Sequence, residues 1–248
     1  MSEIVGFVGM SHAPYATMTP PASADAPGGA FMADAARVAR AVAELAPDVV
    51  VTIGPDHFHG NFYDMMPPFA LGVESAEGFG DFDTYAGEVP IAGELAWAIH
   101  AELSARDFDI ALSYHMTLDH GIVQGWDLIC PDKPIPMVPL IVNTAAPPLP
   151  SLRRSAALGE ALGAALRAWD GPERVLVLAS GGLSHWLPSN DPRAVLKMTA
   201  AAHQSPPTAS SHLQLMRLPA LVLQSGPPNY PCRPSYRAQS RRSLARRR

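Results

Sequence analysis

Four short apolar runs, each leading into a turn that carries a histidine, limit what this chain can fold into more than any other feature. The turns are Ser11-His12, Pro55-Asp56-His57-Phe58-His59-Gly60, Asp119-His120-Gly121 and Gly181-Gly182-Leu183-Ser184-His185. The runs before them, Ile4 to Gly9, Val49 to Ile53, Phe108 to Ser113 and Arg174 to Ala179, read as strands; Val49-Val50-Val51-Thr52-Ile53 is β-branched throughout. A single histidine on a turn is more often a cap than a ligand. Four at equivalent strand ends point to a site, because imidazole is both the commonest metal ligand and the side chain that titrates nearest neutral pH.

Helical patterns separate the strands. Ala33 to Ala46 is Ala-rich, with Val38, Val42 and Leu45 spaced by four and three; Ile91 to Ala105 and Ser151 to Trp169 also read as helices, and Ile135 to Val142 as a further strand. Residues 60–88 are rich in Gly, Phe and Asp and contain Pro67-Pro68, which predicts a long ordered loop that shapes a pocket. The order β-α-β-loop-α-β-β-α-β predicts a layered α/β fold with a central, largely parallel sheet flanked by helices. In such folds ligands sit at the carboxyl ends of the strands, where all four histidine turns fall.

Composition divides the chain in two. Residues 191–248 hold ten Lys or Arg and one acid, Asp191, for a charge of +9, whereas the preceding 190 residues carry −14. This predicts one catalytic α/β domain over residues 1–190 and a basic, Pro- and Arg-rich, irregular tail over 191–248. A helix over Leu213 to Leu223 would be interrupted by Pro219, so no element is assigned there. The acidic body argues against a nucleic-acid partner. With no leader-like segment and no apolar run long enough to span a bilayer, a soluble, cytoplasmic protein without membrane attachment is expected. The only cysteines, Cys130 and Cys232, are too few for a disulfide framework or a cysteine zinc cluster, so a metal would be held by His and carboxylate.

Two histidines and a carboxylate on one face of a metal, with open positions opposite, is the arrangement by which non-haem Fe(II) holds an organic substrate and O2 together. His12 and His57 are candidate donors, with Asp56 placed to orient a ring. His120 and His185, each beside or near glycine, suit acid and base roles, and Asp119 is placed to orient its neighbour. His59 and His115 read as supporting or pocket-wall residues; His100, His203 and His212 receive no role. The chain lacks a Walker A loop, a dinucleotide fingerprint, a Gly-x-Ser-x-Gly elbow and a His-Glu-x-x-His helix. Zinc-dependent hydrolysis stays open as an alternative, because imidazole donors alone do not separate Zn from Fe.

Ser11-His12-Ala13-Pro14, Pro55-Asp56-His57 with Phe62-Tyr63-Asp64-Met65-Met66-Pro67-Pro68-Phe69, Asp119-His120-Gly121 and Ser180-Gly181-Gly182-Leu183-Ser184-His185 together resemble the class III extradiol catechol dioxygenases. The resemblance implies Fe(2+) bound by His12 and His57, with His120 as proton donor and His185 as proton acceptor. It implies as partners a small catechol and O2, and a homo-oligomeric assembly. The implied reaction, in aromatic catabolism, opens 2,3-dihydroxyphenylpropionate or its cinnamate counterpart beside the diol, giving from the former 2-hydroxy-6-oxonona-2,4-dienedioate. It further implies a third iron ligand, a glutamate from the C-terminal portion, yet no Glu follows Glu173. An inactive, truncated product lacking that ligand is a further alternative. A change of reading frame near residues 190 to 200 is the expectation that accounts for both the missing Glu and the charge reversal. Resequencing the encoding DNA should reveal family-like, Glu-bearing sequence downstream in another frame; an intact frame with none overturns this.

Overall fold

Strand β2 (Val49–Gly54) shows why the helices must lie on both sides of the sheet: successive residues face opposite ways. Val50 packs among Val8, Val38, Val42, Ile122 and Trp126, whereas Val49 and Val51 pack among Leu95, Ile99, Leu103, Leu158 and Leu162. The same two-sided division runs through β6 (Met137–Val142) and β7 (Arg174–Ser180). A strand apolar on both faces must be covered on both, and each fully buried Val, Leu or Ile contributes roughly 1.5–3 kcal/mol. Helices α2 (Gly29–Leu45) and α4 (His120–Ile129) cover one face; α3 (Gly93–Ser104) and α5 (Leu152–Ala168) cover the other.

The computed structural model describes residues 2–18, 20–26, 28–144, 147, 149–181 and 214–216. Its other elements are β1 (Glu3–Met10), a short helix α1 (Tyr15–Met18), β3 (Phe69–Phe79), a 3-10 turn Asp81–Asp83, β4 (Ala86–Val89), β5 (Ala111–Leu118) and β8 (Gln214–Met216). The sheet order is β4-β3-β6-β2-β7-β1-β8, with β5 paired to β3. β1, β7, β2 and β6 form a parallel set, as the sequence predicts; β3, β4 and β8 make antiparallel pairings. Among the described residues no helix is long and apolar enough to cross a membrane.

Several elements differ from expectation. Residues 60–88 are not one long loop: they contain β3, the 3-10 turn and β4. Two of the glycines that read as loop signals are close-approach positions within β3. A Cβ on Gly72 would lie 2.8 Å from Pro139 Cγ, and one on Gly78 would strike the Tyr85 carbonyl. The strand expected at Phe108 to Ser113 begins only at Ala111, because Phe108 and Ile110 are buried in the connection from α3. Helix α4 was not foreseen behind its two glycines and adjacent β-branched Ile122 and Val123, residues of modest helix propensity that packing overrides. In the segment left unassigned, Gln214–Met216 pairs with β1 rather than forming part of a helix.

β5 is parallel to β3, and β3 runs antiparallel to β6, so β5 opposes the direction of β1, β2, β6 and β7. The β3–β5 register shifts between Gly72 and Ser75, an irregularity of the kind that bends a strand. The turn after β5 therefore does not reach the site as one more carboxyl end of the parallel set. Replacing Gly78 by Val should wedge β3 from the Tyr85 segment; urea unfolding is expected to show a loss of about 1–3 kcal/mol.

Candidate metal centre

His12 lies two residues beyond β1, and the parallel pairing of β1 with β7 sets Met10 opposite Ser180. Ser180 Oγ is 2.7 Å from His12 Nδ1. The segment after His12 is held from the other side by fully buried Gln124 of α4, whose amide donates to the Ala13 carbonyl at 3.1 Å and to Thr17 Oγ1 at 3.0 Å. His12 itself is 1% exposed.

His57 lies three residues beyond β2, on a loop organised by Asp56. The Asp56 carboxylate accepts from the backbone N–H groups of Gly60 (2.8 Å) and Asn61 (3.0 Å). Asp56 thus shapes the loop, and the sequence expectation that it orients a ring is corrected. That task falls to Asp119, whose Oδ2 accepts from the His57 backbone N–H and lies 3.1 Å from His57 Nδ1. The same oxygen is 3.3 Å from His59 Nδ1, which gives His59 a supporting place. Asp119 Oδ1 caps α4 by accepting from Gly121 N–H at 2.8 Å.

His120, the first residue of α4, is held by Asp81 rather than by its neighbour Asp119. Its backbone N–H donates to Asp81 Oδ1 at 2.9 Å, and its Nδ1 is hydrogen-bonded to Asp81 Oδ2. Asp81 had no sequence signal: it lies in the segment read as loop, and nothing in its spacing links it to residue 120. The ring of Phe82 meets His120 edge-on, with centroids 4.9 Å apart.

Three imidazoles converge. The His57 and His120 rings stack with centroids 4.3 Å apart, and His12 stands edge-on to both at 5.0 and 5.4 Å. One nitrogen from each lies within 4.8 Å of the others, a spacing at which a single metal ion can be held. His59, Asp81 and Asp119 form an adjoining group of the same spacing. The donor chemistry fits a transition-metal dication: His12 and His57 would ligate through Nε2, each with Nδ1 committed to a hydrogen-bond partner that fixes the ring. Cys130 is an unsuitable donor, because its Sγ donates to the Trp126 carbonyl at 2.9 Å and burial pushes its thiol up to about 11.

Close backbone approach brings the rings together. A Cβ on Gly54 would lie 2.5 Å from the Gly121 carbonyl; one on Gly121 would lie 2.7 Å from the Pro55 carbonyl and 3.0 Å from His57 Cε1. The electrostatics follow from Asp119. Burial alone would push its carboxyl up, but the hydrogen bonds and charge of His57, aided by the charge of His120, bring it down to about 2. It is ionised at neutral pH and holds the proton of His57 on Nδ1. His115 sits on the exposed side of β5, 3.0 Å from Ser75 Oγ, and His100 lies on α3 beside Trp97. His185, His203 and His212 lie outside the described residues, so the expected proton acceptor is not part of this geometry.

Asp119→Ala should release the His57 ring and lower metal affinity by roughly 10–100-fold, measured by titration of the apo protein with Zn(2+) under circular-dichroism control. Gly121→Ala should lower affinity in the same assay by prying the His57 loop from α4.

The family described as the catalytic LigB subunit of aromatic ring-opening dioxygenase matches residues 6–205. Three curated relatives carry the name 2,3-dihydroxyphenylpropionate/2,3-dihydroxicinnamic acid 1,2-dioxygenase. The chain is 45% identical to that of Paraburkholderia xenovorans over 58% of its own length and 45% of the relative's. It is 43% identical to that of Klebsiella pneumoniae over 60% and 47%, and 44% identical to the second such enzyme of Pseudomonas putida over 63% and 50%. The chain spans about half the length of these relatives. With a match covering most of the chain, including all three converging histidines, this protein belongs to the LigB family of aromatic ring-opening dioxygenases.

Proposed function

We propose that this chain carries the catalytic centre of a non-haem Fe(II) extradiol dioxygenase that opens 2,3-dihydroxyphenylpropionate or 2,3-dihydroxycinnamate with O2 in aromatic catabolism. The observation that carries the reading is the convergence of His12, His57 and His120, each held at Nδ1 by a partner distant in sequence. The names of the relatives supply the substrate.

Iron(II), when bound, supplies a place where the two catechol oxygens and O2 meet and exchange electrons. The residues supply orientation and proton traffic. Ser180 and Asp119 hold the rings of His12 and His57 at Nδ1, and these two residues would hold the iron through Nε2. His120 donates a proton to an oxygen of the opening ring, and His185 receives a catechol hydroxyl proton. Phe82 covers one side of His120, which is only 5% exposed, and limits water at that ring. Both atoms of O2 enter the product, and the broken bond joins a hydroxylated to a non-hydroxylated ring carbon. A homo-oligomeric, cytoplasmic enzyme completes the proposal.

Protein loaded anaerobically with Fe(II), then given O2 and 2,3-dihydroxyphenylpropionate, is expected to consume one O2 per catechol and form a yellow ring-opened product. Zn(II)-loaded protein should form none. Hydrolytic activity under zinc, with no yellow product from protein that retains stoichiometric iron, overturns the proposal in favour of a hydrolase.

A further inference from the structure

We infer that Asp81 is a positioning residue that fixes the tautomer of His120, holding a hydrogen on Nδ1 and directing Nε2 into the imidazole cluster. This rests on the proposed role of His120 as proton donor, in which the proton delivered leaves Nε2 of the doubly protonated ring and the Nδ1–H neutral ring is what remains; it concerns a residue from an element unrelated in sequence to α4.

The two-point contact carries the inference. One Asp81 oxygen accepts from the backbone N–H of His120, and the other is hydrogen-bonded to Nδ1 of the same residue. The two side chains are each 6% exposed, so the pair is shielded from competing water. An ionised carboxylate only accepts, so Nδ1 must be the donor. The ring is thereby held at both its backbone and its δ nitrogen, and one of its nitrogens lies within 4.8 Å of one from His12 and one from His57. The other nearby cation candidate, His59, is 3.8 Å from Asp81, beyond hydrogen-bond reach, and is held by Asp119 instead.

The turn that presents Asp81 is held in an unfavourable conformation. Gly80, Phe82 and Asp83 all have left-handed backbones (φ 78, 54 and 58), a strained conformation for the two non-glycine residues. Side chains from two directions brace it: Thr84 Oγ1 donates to the Asp81 carbonyl at 2.7 Å, and Thr17 Oγ1 donates to the Phe82 carbonyl at 2.7 Å. Thr17 belongs to α1, just beyond His12, so the brace ties the Asp81 turn to the segment carrying another member of the cluster. A relaxed turn would move the carboxylate off His120. The strained one sets Asp81 on Nδ1 and Phe82 edge-on to the same ring.

The test reads tautomers, not turnover. Long-range 1H–15N spectra of the full chain labelled at histidine, without metal or substrate, and assigned with His120→Gln, should show His120 protonated at Nδ1. Asp81→Ala should move the neutral ring toward the Nε2–H form while His12 and His57 keep their signals. Asp81→Asn, with one acceptor for two donors, should shift it partway. An Nε2–H tautomer at His120 in the wild-type chain overturns the inference, as does an unchanged tautomer in a folded Asp81→Ala protein. The wild-type spectrum decides even if the variants do not fold. Because no catalysis is read, a missing dioxygenase activity beside the expected tautomer would defeat the functional proposal and leave this one standing.

Discussion

The closeness of two backbones, where the end of β2 passes the start of α4, is the constraint on which the rest of this site depends. Gly54 and Gly121 have no side chains to hold them apart, and each would place a Cβ against the other segment's carbonyl. That contact stacks the His57 ring on that of His120. It also allows one carboxylate, Asp119, to cap α4 with one oxygen while gripping the His57 loop with the other. A methyl group at either glycine acts on the geometry of two histidines at once, although neither glycine touches a reacting atom.

Buried carboxylates do the orienting, and their burial is tolerable because each is saturated with donors. Asp119 accepts from two backbone N–H groups and two imidazoles; Asp81 accepts from the backbone and ring of one residue. The assignment is crossed relative to chain order. Asp119 serves His57 rather than adjacent His120, because a capping residue turns its side chain toward the free N–H groups of the first helical turn, and here the His57 loop lies on that side. His120 then takes its partner from a strained turn after β3.

Much of this was legible in the chain. The β-branched run at Val49 and the apolar run at Arg174 announced strands of a parallel set, because a strand buried on both faces has no polar alternation to hide it. His12 and His57 were legible as polar residues just past apolar runs. Residues 60–88 were misread because glycines there relieve contacts between strands, and a glycine needed for proximity looks in sequence like one needed for a turn. The ring-holding roles of Ser180 and Asp81 were illegible because both pairings are long-range: residue 180 meets residue 12 through strand register, and residue 81 meets residue 120 through the β3–β5 path.

The mixed sheet accounts for how an imidazole cluster of this kind is assembled at all. A purely parallel set delivers its strand ends side by side along one edge of the sheet, spaced by the distance between strands, about 4.8 Å per neighbour. β1 and β2 are separated by β7, so His12 and His57 arrive about two spacings apart at the strand ends and must lean inward over Ser180, at the end of the strand between them. The third imidazole comes from beyond β5, which runs against the parallel set and pairs with a strand whose register shifts midway; α4, which follows β5, starts against the end of β2, where Gly54 and Gly121 approach. The β3–β5 portion of the sheet, of which sequence reading assigned β3 to a loop, is therefore what brings a third imidazole to the two histidines at the strand edge.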